Sequence, residues 1–286
     1  MKTILLAATS LLAAQASFAQ TDTSTKKADT LVAGNFVIVK KPSKSIDIEM
    51  STRKGFNVTY NNGKKKNSNI STNWWIMDLG FTNLRDNTNY TAAQAGGYLR
   101  TLNAAAGPAT ANSMKLNTGK SSNFNLWFFM QKMNVYKHVV NLKYGLGYEM
   151  YNFRYDRNLS YRKDPSPYIF NDTVSFSKNK LFAGYLTVPF MVNINTAPNK
   201  QKSLSFSAGI SAGYLVASRN KQISNERGKV KYKGDFDLEP FRLAAIGELG
   251  LGPVRLFGSY SLNKLHKNST GLDQTPYSFG IRFSNW

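Results

Sequence analysis

The sequence predicts an all-β fold: an eight-stranded antiparallel up-and-down transmembrane β-barrel with a short N-terminal periplasmic segment. Three observations predict it. Eight segments carry apolar residues at every second position, the period of a strand with one greasy face. The alternate face of these segments is mostly Ser, Gly and Asn with a few isolated charges, which suits a narrow, crowded interior better than open water. The links between segments alternate long and short, as in a barrel with outer loops and periplasmic turns.

The elements follow in order. Lys2, the apolar run Ile4 to Ala14 and the small-x-small site Ser17-Phe18-Ala19 make residues 1–19 a secretory signal peptide, which is set aside from the fold. Residues 20–72 form a periplasmic leader. Its first part, 20–35, is polar and reads as flexible, and NFVIVKK (35–41) and SIDIEM (45–50) alternate like the strands of a short β-hairpin. The barrel occupies 73–286. Its first strand sets Trp75, Met77, Leu79 and Phe81 against Ile76, Asp78, Gly80 and Thr82. The second sets Phe124, Leu126, Phe128 and Met130 against Asn123, Asn125, Trp127 and Gln131, and the third sets Val140, Leu142, Tyr144, Leu146 and Tyr148 against Asn141, Lys143, Gly145, Gly147 and Glu149. The fourth, Phe182 to Ile194, is interrupted by Pro189. The fifth, Leu204 to Tyr214, alternates cleanly with Ser and Gly. Phe241 to Leu249, Val254 to Leu262 and the terminal YSFGIRFSNW complete the set. The links are 85–119, 133–137, 154–179, 195–202, 219–235, 250–253 and 266–275. An even strand number then leaves both termini on the periplasmic side, and the C-terminal stripe is the lipid face of the closing strand.

Composition limits the chemistry. The formal net charge is +21, or +20 once Lys2 leaves with the signal, and such a basic exported chain points to anionic lipids or polymers. Nucleic acid is not expected, because there is no zinc spacing, RNP-like motif or basic helix. Without cysteine there is neither disulfide nor thiolate chemistry. No later run of about 18 apolar residues predicts a transmembrane helix. The two histidines, His138 at a short turn and His266 in an outer loop, lie about a membrane thickness apart and cannot share a site. A hydrolase built on His266 and Ser269 lacks supporting partners, and a lone loop histidine reads as polar surface. The acidic run Asp235-Phe236-Asp237-Leu238-Glu239 lacks a calcium-loop pattern and reads as a strand edge at the membrane rim. The glycines at 145, 147 and 247–252 precede no helix and fit close packing in a narrow barrel. No cofactor and no metal is expected.

Strand parity turns seven charges inward: Asp78, Lys143, Glu149, Arg242, Glu248, Arg255 and Arg282. They nearly balance, and buried charges must pair, so they read as a salt-bridged plug, with a selectivity lining as the alternative. The closeness of the sixth and seventh strands sets an expected register, with Gly250 opposite Pro253, Leu249 opposite Val254 and Glu248 opposite Arg255. Loop 219–235 carries six basic and two acidic residues, and loop 154–179 is rich in Tyr, Phe and Arg. Such a rim suits lipopolysaccharide phosphates or a protein partner; a merely solvated charged loop is the plain alternative.

The pieces WWIMDLGF (74–81), GKSSNFNLWFF (119–129), YLTVPFMVN (185–193), SLSFSAGISAGY (203–214) and the terminal strand, with ADTLVAGNFVIVKK (28–41) before them, resemble the small outer-membrane β-barrel domain family of Bacteroidota, often labelled PorT-like. The resemblance covers about 28–286. It implies an eight-stranded barrel in the outer membrane of a Gram-negative bacterium and no assigned chemistry. Trp286 departs from the usual terminal signal, since it follows Phe283 by three and leaves the phase of the stripe. The expected role is structural, anchoring or envelope interaction, not catalysis. The alternatives are a rim enzyme acting on outer-leaflet lipid or a narrow channel. Expected partners are outer-membrane lipid and lipopolysaccharide, the barrel assembly machinery during insertion, and an envelope protein.

Overall fold

The computed structural model describes residues 29–33, 36–40, 46–51, 57–61, 68–198, 203–251 and 254–284. The signal peptide expected at 1–19 and the terminal Trp286 lie outside them. The chain divides into two units, 1–67 and 68–286. In the first, β1 (Asp29–Ala33), β2 (Phe36–Lys40), β3 (Ile46–Ser51) and β4 (Asn57–Asn61) form an antiparallel meander. The expected hairpin is its central pair. The strand at 29–33 corrects the reading of 20–35 as flexible throughout: isolated hairpins are marginal, and a strand pairing on each side supplies the missing ladders.

The second unit runs through β5 (Ile70–Asp86), helix α1 (Tyr90–Ala95), β6 (Leu99–Arg100), β7 (Ser122–Tyr136) and β8 (Val140–Arg154). It continues with β9 (Leu159–Arg162), β10 (Tyr168–Asn171), β11 (Lys178–Asn195), β12 (Leu204–Ser224) and β13 (Gly228–Lys233), and ends with β14 (Phe241–Leu251), β15 (Val254–Ser261) and β16 (Gln274–Phe283). Eight of these strands, β5, β7, β8, β11, β12, β14, β15 and β16, pair antiparallel in sequence. β16 returns to β5, with Phe279 opposite Phe81 and Arg282 opposite Asp78, and the ring closes without an edge. Pro189 does not break β11. The ladder to β8 passes from Thr187 to Phe190, so the missing N–H falls where no bond is made.

The outward face is apolar and exposed along the strands, as in Leu186, Val188, Phe190, Val192 and Ile194 of β11. This is the lipid-facing belt. Trp74 and Trp75 mark its short-turn end, and Tyr214, Phe241 and Tyr260 its long-loop end. Among the described residues no helix is long and apolar enough to cross a membrane.

Besides Val135 beside the β7–β8 turn, three extra residues break the alternation among the described residues of the wall. Trp75 on β5 and Phe128 on β7 have no ladder partner, and Trp75 has φ 56°. The two rings meet edge to face at 6.0 Å on the outside. Because Phe128 is inserted, the face beyond it is exchanged: Met130, expected toward lipid, is fully buried against Ile76, Trp127 and Met191. The third extra residue is Val216 on β12, skipped between the pairs Gly184–Ala217 and Tyr185–Leu215. The expected β14–β15 register is also corrected. Leu251 pairs with Val254, Gly250 with Arg255 and Glu248 with Phe257, so Glu248 and Arg255 are not opposite each other. The expected register would have put Pro253, which has no N–H, in a closing pair that needs one.

Candidate functional site

The lumen is built by the alternate residues of the wall. The structure places Asp78, Lys143, Glu149, Arg242, Glu248, Arg255 and Arg282 there, each at most 7% exposed. Arg282 on β16 faces Asp78 on β5 directly, and its guanidinium grips the carboxylate with Nε and Nη2, both at 2.7 Å. Asp78 also accepts bonds from Trp127 Nε1 at 2.7 Å and Asn125 Nδ2 at 3.0 Å. Gly147 makes room for that indole, since a Cβ there would come within 2.5 Å of the Trp127 ring. Arg282 reaches on to Glu248, which Lys143 also meets from across the lumen. A second group lies nearer the outer end, where Arg242 bonds Glu149 at 2.9 Å and the hydroxyls of Ser259 and Ser261. Nearer the periplasmic end, Arg255 donates to Ser205 and Ser284, both at 2.8 Å.

This lining leaves little space. The void among Trp127, Met191, Glu248, Phe257 and Arg282 measures about 10 Å³, at the lower limit for a single water. Of the seven predicted charges, three carboxylates face four cations across this narrow bore, and Arg255 is held by hydroxyls.

Above the belt, the long links are not open loops. They fold into a cap with an apolar core: Tyr98 and Leu99 from 85–119, Leu159, Tyr161 and Ile169 from 154–179, Phe236 and Leu238, then Leu265 and Leu272, packed on Phe153, Tyr155 and Leu181 of the wall. Segment 85–119 contributes α1, whose first turn is capped by the Asn89 side chain accepting from the Ala92 N–H. β9, β10 and β6 make a small sheet, and β12 runs on with β13 as a hairpin over 219–233. The solvated-loop alternative is thereby corrected for 154–179, where enough aromatic surface is present to bury itself, whereas the tip of the 219–233 hairpin, 225–229, is exposed. Asp172 pins the hairpin to this sheet, accepting two bonds from Arg227 at 2.7 and 3.0 Å and one from Ser160. Burial opposes its ionisation, but these bonds prevail and hold its carboxyl below the usual range. Arg162 stacks on Tyr232 at 3.9 Å and Arg100 on Tyr168 at 4.4 Å.

The run 235–239 is likewise no strand edge. Phe236 and Asp237 turn with positive φ, Phe236 and Leu238 fill the cap core, and Asp237 bonds Lys267 at 3.0 Å. His266 is not polar surface. It is fully buried, stacked on Tyr161 at 6.2 Å, with neither ring nitrogen hydrogen-bonded, and burial pushes its pKa down to about 3. Ser269 is exposed, so the two form no nucleophile–base pair. His138 sits at the β7–β8 turn with φ 58°.

The family model described as "Outer membrane protein beta-barrel domain" matches residues 18–271. Among solved structures, the crystal structure of Ail, the attachment invasion locus protein of Yersinia pestis, aligns at 12% identity over 74% of this chain and 97% of that chain, with a TM-score of 0.31. No curated protein matches the chain.

Proposed function

We propose that this chain, which belongs to the outer membrane protein β-barrel domain family, is a sealed anchor that holds a folded cap at the cell surface for envelope interactions. One observation carries the reading: the barrel is filled by its own paired charges while the loops above it build a separate core. A molecule made to conduct would keep a wet path, and a molecule made to catalyse at its rim would present convergent polar groups. This one buries its single outer-loop histidine among tyrosines. The resemblance to the PorT-like barrels of Bacteroidota and the signal-like residues 1–19 support export and insertion by the barrel assembly machinery. The basic rim supports contact with lipopolysaccharide, and the Arg–aromatic stacks of the cap suit an envelope protein as a further partner.

The test is twofold. In planar bilayers the purified protein is expected to show no steady ohmic conductance; reproducible openings would replace the anchor with a channel. On intact cells, protease is expected to cut at the β12–β13 tip, Asn225 to Gly228, and to spare the β7–β8 turn at 137–139. Cutting only at the turn would invert the topology.

A further inference from the structure

Immediately above the belt, the outward face of four neighbouring strands carries cations in direct register. Arg154 of β8 pairs with Lys180 of β11, Lys180 with Lys221 of β12, and Lys221 with Lys231 of β13. One rung nearer the membrane, Phe182 pairs with Arg219 and Arg219 with Lys233. Like charges directly opposite one another weaken a sheet. Here four stand in a row, and among the described residues none of the six cations has a carboxylate within 4.0 Å. Lys180 lies beyond the lipid-facing part of its strand. Burial, with Lys178, Arg219, Lys221 and Arg154 crowded round it, lowers its pKa to about 8.

Below this ladder, at the border of the belt, lies a groove of about 490 Å³ lined by Phe182, Leu215 and Val216, with Arg219 and Lys233 at its side. The Arg219 guanidinium sits 4.2 Å over the Phe182 ring, and its Nε is buried without a hydrogen-bond partner. Asp235, a carboxylate on the lining, has its side chain 3.9 Å from Lys267. A row of uncompensated cations over an apolar groove, at the height where headgroups meet acyl chains, matches an anionic head with a hydrocarbon tail.

We propose that this face binds a phosphorylated glycolipid of the outer leaflet, its phosphates on the Arg154–Lys180–Lys221–Lys231 ladder and Arg219 and an acyl chain in the Phe182–Leu215–Val216 groove. The inference rests on the reading of the chain as an outer-membrane anchor and names the lipid side of its rim. The mutual repulsion of the row is relieved by the ligand, so the site is strongest where the lipid carries most phosphate.

The experiment uses the full chain purified in a nonionic detergent and titrated with diphosphoryl lipid A, with its dephosphorylated form and with inorganic phosphate. Native mass spectrometry is expected to show the wild type retaining diphosphoryl lipid A. Retention should weaken at least tenfold for the dephosphorylated lipid and for the variant K180Q/K221Q/K231Q. Without lipid, that variant should resist urea at least as well as the wild type, because like charges are gone; with lipid A, only the wild type should gain. Lys221→Gln alone, as a milder change, is expected to weaken retention about threefold and serves if the triple variant folds poorly. Equal retention of both lipid forms, or no loss in either variant, would overturn the proposal. Release of the lipid by millimolar inorganic phosphate would overturn the lipid assignment in favour of free phosphate. Conductance and cleavage at the Asn225 to Gly228 tip are read on the wild type without added lipid A, so a failed anchor and a failed lipid site give different results.

Discussion

The wall and the cap of this protein are folded by the same strands on opposite rules. Along β8 the inner face begins with Asn141, Lys143 and Glu149 and ends with Tyr151 and Phe153, while the outer face passes from Leu142, Leu146 and Tyr148 to Asn152 and Arg154. β11 does the same in reverse chain order: Asn193 and Thr187 give way to Tyr185, Ala183 and Leu181 inside, and Ile194 to Leu186 give way to Lys180 and Lys178 outside. In the membrane the solvent is apolar, so polarity is put inside and must be self-satisfied. Above it the solvent is water, and the ordinary arrangement returns. The difference teaches that stability in the wall rests on pairing, whereas stability in the cap rests on packing.

The comparison can be broken by removing one member from each side. Asp78→Ala strips Arg282 and Trp127 of their shared acceptor and is expected to cost about 3–5 kcal/mol of the whole barrel, because the buried Arg282 keeps only Glu248 and the Trp127 N–H is left without an acceptor. Urea unfolding in detergent measures it. A loss under about 1 kcal/mol would mean the pairing does not hold the wall. Phe236→Ala should cost about 3 kcal/mol or more, but only in the cap. Its signature is faster hydrogen exchange and proteolysis of 154–179 with an unchanged urea midpoint of the barrel.

Two smaller effects sharpen the contrast. A double-mutant cycle of E248Q and K143M should give a coupling of about 2–3 kcal/mol, and one of E248Q and R255M under about 1 kcal/mol, since Glu248 meets Lys143 rather than Arg255. The reverse order would restore the register expected from the hairpin. In the cap, His266 stays neutral when folded, with its pKa held near 3 by burial, and titrates near 6.5 when unfolded. A depressed folded pKa means that the cap is at full strength above about 6.5 and loses stability as pH falls from there toward 3, by about 1.4 kcal/mol per unit. His266→Phe should abolish that slope, so at pH 5 the variant cap exceeds the wild type by about 2 kcal/mol in exchange protection. An unchanged slope would place the acid response elsewhere.

The sequence made the wall legible because period two survives wherever one face meets lipid, and the same parity turned the seven charges inward. It did not show which charges meet. Lys143 and Glu248 are on β8 and β14, strands that are not neighbours, and their contact spans the bore instead of a ladder. Trp75, Phe128 and Val216 are not legible in the sequence, because an inserted residue changes phase without changing composition. The cap was illegible for a different reason. Phe236, Leu238, Leu265, Leu272 and Tyr161 have no common period, and what unites them is the place where the strand ends bring them.

Val216 has a consequence of its own. Before it, Ser205, Ser207 and Ser211 point into the bore; after it, Asn220, Gln222 and Ser224 do, an odd-to-even step like a frameshift in a coded message. The step happens where the message changes readers, from hydrocarbon to water. It lets Asn220 join the cap interior while Arg219 and Lys221 come out on the surface. An insertion of one residue anywhere in 205–213 would garble the strand by turning serines to lipid and Phe206 or Ile210 inward. Evolution can therefore lengthen this wall in steps of two and rewrite it by one only at the frontier.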